Sequence, residues 1–237
     1  MFRSRISRFA ALSGAAAWLM VIVLNDAVNA GSPAYDADPS AWGEYLAAHN
    51  GPSDQAVLYV ELLGLSLAIV FVGLLCALLR RAEADKGFLS PVALLAGGVA
   101  VAIKIGSGAP LFAALYLSDK GLSPDTMRAL VNINGAAFAL GFVPNGIMML
   151  AIGTGILSYR HMPAWLGWFG IIAGVGLIVG APFVQDEGPG FLGMLLFIVW
   201  NFAASITLFV KWPSIVAGPI SLDARVASPG KAASLPI

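Results

Sequence analysis

Two full charges stand inside stretches that are otherwise almost wholly apolar: Glu61, within Ala56 to Leu79, and Lys104, within Leu89 to Leu117. Charges at membrane depth are costly, so they are rare and usually paired or functional. Helical rise places Glu61 about 8 Å below the outer edge of one span and Lys104 about 22 Å above the inner edge of the next. Both then lie in the outer half, on consecutive helices, and an ion pair is expected. Its chemistry could be a proton or ion relay or an anchor for a polar ligand. The plainer reading is a structural pair joining two helices, and a Lys104 that snorkels to the interface is a third.

Polar side chains at similar depth extend this cluster. Asp26, Ser107, Asn132, Asn134 and Asn201 join Glu61 and Lys104 as candidates for a polar cavity open to the outer face. For each amide the alternative is a single hydrogen bond to a neighbouring helix, a modest contact. Asn134 and Asn145 lie eleven residues apart, nearly the same face of a helix, with Ala137 and Gly141 between them; that stripe suits close packing. Gly106-Ser107-Gly108-Ala109-Pro110 follows Lys104 and predicts a kink or a broken helix. Pro144 predicts a second kink near Gly141. Gly170 and Gly174, and Gly176 and Gly180, form two small-residue pairs on nearly opposite faces of one span. They predict a helix wedged between close neighbours, or alternatively a dimer face.

The elements that must hold these residues are membrane spans. Of 237 residues 59% are apolar and 11% charged, 13 of each sign, against about 25% charged in a soluble domain. Six apolar runs are long enough to cross a bilayer: 9–28, 56–79, 89–117, 127–157, 165–184 and 191–210. They are continuously apolar, not alternating, and only helices satisfy their own backbone in lipid. The expected fold is all-α, a polytopic transmembrane bundle in a single domain over 1–212. A disordered cytoplasmic tail is expected over 213–237. Ser123 before Pro124 reads as a helix N-cap, and Trp42, Tyr45 and Leu46 suit a short interfacial helix. Ten Lys and Arg fall on one side of these spans and two, Lys120 and Arg128, on the other; the basic side is cytoplasmic, with both termini inside. The first run also resembles a secretory signal ending at Val28-Asn29-Ala30, whose removal would leave five spans.

Several chemistries lack their residues. His49 and His161 both fall in predicted loops, so haem ligation within the spans is not expected. One cysteine, Cys76, forms no internal disulfide, and no HExxH or phosphate-binding glycine motif is present. No catalytic residue, metal site or cofactor is expected. The balanced charge argues against nucleic acid. The expected partners are the lipid bilayer and either a second copy or another membrane protein.

The segment Pro163-Ala164-Trp165-Leu166-Gly167-Trp168-Phe169-Gly170-Ile171-Ile172-Ala173-Gly174, at the entry to the fifth run, resembles a group of bacterial integral membrane proteins classed as domains of unknown function. The resemblance implies an uncharacterised bacterial membrane protein and brings no catalytic residue with it; a six-span bundle in the inner membrane is the expected placement. A non-enzymatic protein that binds a lipid or small ligand, or serves as an accessory subunit, is the first expectation. A small transporter or channel using Glu61 and Lys104 is the second.

Overall fold

The computed structural model describes residues 5–84, 87–183 and 189–217; the side chains of 5–7, 25–29, 189 and 217 lie outside that description. Its elements are α1 (Arg5–Ala10), α2 (Ser13–Asn29), α3 (Pro39–Ala48), α4 (Pro52–Ala82), α5 (Leu89–Leu117), α6 (Pro124–Leu140), α7 (Phe142–Tyr159), α8 (Ala164–Gly180), a 3-10 turn (Ala181–Phe183) and α9 (Pro189–Ala217). The described residues contain no strand.

Five of these units are long and apolar enough to cross a membrane: 52–82, 89–117, 124–159, 164–183 and 190–216. The first expected span is not among them. It is divided at Ala11-Leu12, where amides bond three residues back, to Arg8 and Phe9. Just past the break α2 lies close on its neighbours: a Cβ on Gly14 would lie 2.5 Å from the Phe71 ring. α2 packs along α4 and α9. Arg8 donates from Nε to the Phe209 carbonyl at 2.9 Å and lays its guanidinium over the Phe209 ring.

The third span is not broken. α5 runs unbroken through Pro110. The fourth is bent as Pro144 requires: α6 ends and α7 begins at Gly141, because proline has no N–H to offer the carbonyl of Leu140. α9 continues past Trp212 to Ala217 with Pro213 inside it, so helix occupies the start of the expected tail. The remainder, 218–237, lies outside the described residues.

α7, α8 and α9 pack backbone against backbone. A Cβ on Gly174 would lie 2.9 Å from the Gly146 carbonyl oxygen, and one on Gly176 would lie 3.4 Å from the Gly193 Cα. Gly174 thus faces α7 and Gly176 faces α9, while Gly170 sits between them, a Cβ there lying 3.1 Å from Trp200 Nε1 of α9 and 3.5 Å from the Gly153 Cα of α7. Gly180 is buried at the end of α8. The core beside them holds Phe71, Leu79, Met149, Ile152 and Trp200, and Trp200 donates its indole N–H to the Leu166 carbonyl at 2.8 Å.

At one end of the bundle the start of α5 depends on Glu83. Its two carboxylate oxygens accept from the amides of Leu89 (2.9 Å) and Ser90 (3.0 Å), which no earlier turn of helix can satisfy. Glu83 is buried and packs so closely on Gly87 that a side chain there would collide with it. His161, in the turn between α7 and α8, approaches the same carboxylate. Its Nδ1 is enclosed without a hydrogen-bond partner. Burial lowers the His161 pKa from 6.5 to about 4, with the Glu83 charge opposing.

Two predictions follow from this end of the molecule. Glu83→Ala is expected to cost about 1–2 kcal/mol, the worth of a lost cap, measured by thermal unfolding in detergent. For His161, the unfolded chain takes up a proton below about pH 6.5 whereas the folded ring resists until about pH 4. Stability is therefore lost as pH falls through that window. His161→Gln should show a smaller drop in melting temperature than the parent between neutral pH and the bottom of the window.

Candidate ligand cavity

The opposite end of the bundle is less tightly closed. The middle of α2, the start of α4, the end of α5, the second half of α6 and the start of α9 surround a cavity of about 650 Å³, capped by α3. On α4 the wall is Asp54, Leu58, Glu61 and Leu65, spaced three or four residues apart as one helical face requires. On α6 it is Val131, Asn134, Gly135 and Phe138 by the same rule.

α3 forms because Asp38 caps it. The carboxylate accepts from the Ser40 amide (2.8 Å) and hydroxyl (2.6 Å), and these bonds hold the Asp38 pKa below its ordinary value. Trp42 and Leu46 turn inward from α3 and are buried. The Trp42 indole donates to the Ala34 carbonyl at 3.0 Å, and Arg128 donates to the Ala37 carbonyl at 3.2 Å, which ties the incoming loop to α6. Tyr45 stacks on His49; burial chiefly, then the Asp54 charge, raises the Tyr45 phenol pKa. Asp54 itself accepts from the Gly51 amide at 3.0 Å, at the start of α4.

Deep in the cavity stands the ion pair that the depth argument predicts. Lys104 Nζ lies 3.5 Å from Glu61 Oε1, and the two side chains are 19% and 14% exposed. The ammonium also sits 4.5 Å from the centre of the Phe138 ring, a favourable cation–π placement. Ser107 donates its hydroxyl to the Lys104 carbonyl at 2.7 Å, and Asn134 Nδ2 donates to the Ser107 carbonyl at 2.6 Å. α4, α5 and α6 are thus joined by polar contacts at one level.

Other expected members of the cluster lie elsewhere. Asn132 is off the cavity face of α6, because the inward positions are 131, 134, 135 and 138; its Oδ1 is buried without a hydrogen-bond partner. Asn201 is buried and donates to the Phe197 carbonyl one turn back on its own helix, at 2.8 Å. Asn145 lies past the helix break at Gly141 and lines a smaller pocket beneath Lys104 with Phe142 and Leu177, whereas Asn134 lines the large cavity. The Asp26 side chain lies outside the described residues. The aromatic cap was not among the expected site residues, and neither were Tyr35, His49 and Asp54. Only the interfacial spacing of Trp42, Tyr45 and Leu46 pointed toward the cap. Among the described residues no group of His, Cys, Asp or Glu is placed to hold a metal ion.

Several long apolar helices around a polar-floored cavity define a multi-pass helical membrane protein. Residues 32–212 match the family model described as a domain of unknown function (DUF4386), and the chain belongs to that family. The cavity wall from α2, with Trp18 and Val21, precedes the matched residues. No curated protein and no solved structure matches the chain significantly.

Breaking the pair from one side should cost more than removing it. Glu61→Gln and Lys104→Met are each expected to destabilise by about 3 kcal/mol, the low end for a broken enclosed pair, and the double variant by less than either. A double-mutant cycle of melting temperatures in detergent checks this.

Proposed function

We propose that this is a non-enzymatic protein of a bacterial inner membrane that holds a lipid or other small ligand in the capped cavity, alone or as an accessory subunit. The observation that carries this reading is the cavity itself: about 650 Å³, inside the range of about 300–1,000 Å³ for ligand sites, mostly apolar, with one enclosed ion pair at its floor. Beneath that floor lies the smaller pocket, of about 40 Å³, and past it the bundle is filled by Phe71, Val72, Leu75, Met148 and Met149. This filling supports binding over passage of ions.

In the proposed topology α1 and α2 together make a sixth span, and both termini face the cytoplasm. Arg80, Arg81, Arg160 and Lys211 gather at the Glu83 end, whereas Asp38, Glu44, Asp54 and Asp119 gather at the α3 end. That asymmetry supports an outward-facing cavity.

Gly108 supplies the test. It lines the cavity, and a Cβ there meets nothing within 4 Å. Gly108→Phe is expected to fill the cavity, keep the parent's melting temperature within a few degrees, and retain about tenfold less co-purified amphiphile. Solvent extraction and mass spectrometry of the purified proteins measure the retained ligand. A Gly108→Phe protein that carries the same ligand in the same amount would remove the cavity from the account.

A further inference from the structure

We infer that the ligand is a single-chain amphiphile with a zwitterionic head, its anionic oxygens on Lys104 and its ammonium on Glu61. The inference rests on the binding reading above and goes further in naming the head group. Its first support is the looseness of the pair. Charge-assisted N–H to carboxylate bonds run at about 2.7–2.9 Å, whereas Lys104 Nζ and Glu61 Oε1 stand 3.5 Å apart. An ammonium carries three donors and a carboxylate only acceptors. Among the described residues the Lys104 ammonium otherwise meets the Phe138 ring, which accepts no conventional hydrogen bond. A group with both an acceptor and a donor, entering between them, satisfies both charges at once.

The second support is the sign of the surrounding field. A ligand of net negative charge meets Glu61 at the floor and Asp54 higher on the same wall. A ligand of net positive charge leaves Lys104 opposed. A head that carries both charges avoids both costs. The third support is the remaining surface. Leu58, Leu62, Leu111, Leu115 and Ile198 line the walls, more apolar area than a free head group can cover. The volume suits one chain with its head. The same head chemistry could come from a lipid or from a free small zwitterion, and the chain distinguishes them.

The test uses the full chain, purified in a neutral maltoside detergent, with binding read by native mass spectrometry and thermal shift. The probes are lysophosphatidylethanolamine, lysophosphatidylglycerol, dodecylamine and glycerophosphoethanolamine, the last carrying the same phosphodiester head without a chain. The parent should prefer lysophosphatidylethanolamine over each other probe by about tenfold or more. Glu61→Gln, with Lys104 left alone, should turn that preference toward lysophosphatidylglycerol. Lys104→Met should turn it toward dodecylamine. A purely structural pair would lower stability in both variants and leave the order of probes unchanged, which would overturn the assignment. Equal binding of glycerophosphoethanolamine would overturn the amphiphile and leave a free zwitterion. Should either variant fold poorly, the ranking on the parent alone decides, because equal binding of lysophosphatidylglycerol there refutes the zwitterionic head. If Gly108→Phe leaves every probe bound as before, the cavity reading itself fails, a result distinct from a wrong head group.

Discussion

A charge in hydrocarbon must find a partner or leave, and that constraint organises the α3 half of this bundle. Glu61 and Lys104 bring α4 and α5 to a common level. The Lys104 backbone carbonyl then takes the Ser107 hydroxyl, and the Ser107 carbonyl takes Asn134 from α6. Each bond of this kind is worth little by itself. Together they set three helices around a polar floor. Apolar packing alone has no reason to leave that space open, because lipid tails are as apolar as leucine and drive no helix association by themselves.

The other half of the molecule is closed by the opposite device. Gly146 meets Gly174, and Gly176 meets Gly193, with no side chain between the backbones. Where helices can approach that closely, dispersion contacts accumulate and little space is left between them. At the α3 end the facing positions carry Trp18, Trp42, Phe112 and Phe138. Large rings hold the helices apart there, and α3 covers the gap they leave. A rigid half thus supports a looser one that is shaped to admit a guest.

Five of the six expected spans, the helix break at Gly141 and the helix capped by Ser123 were readable from apolar length, Pro144 and the Ser-Pro pair. So was the meeting of Glu61 with Lys104, because both depths follow from counting residues along helices of known rise. The glycine faces of α8 were readable as faces, though not by partner: nothing local in Gly170 or Gly176 says whether α7, α9 or a second copy lies opposite. Asn132 and Asn201 show where depth alone misleads. They stand near the right height, but rotation about the helix axis turns one off the cavity face and lets the other bond its own helix. Glu83 shows a different blind spot. In sequence it is one acid in a polar loop, and only the fold brings it to the exposed amides of α5.

Composition and periodicity by themselves determined that this chain is helical, lies in lipid and carries an opposite pair of charges at one depth, because hydrocarbon thickness and helical rise leave few other solutions. The tertiary structure decided that the first apolar run divides at Ala11-Leu12, that α3 covers the α4–α5–α6 opening, and that a cavity of about 650 Å³ stands over the pair. Those outcomes depend on which side chains meet across helices distant in sequence, and no local pattern encodes the shape of the space between them.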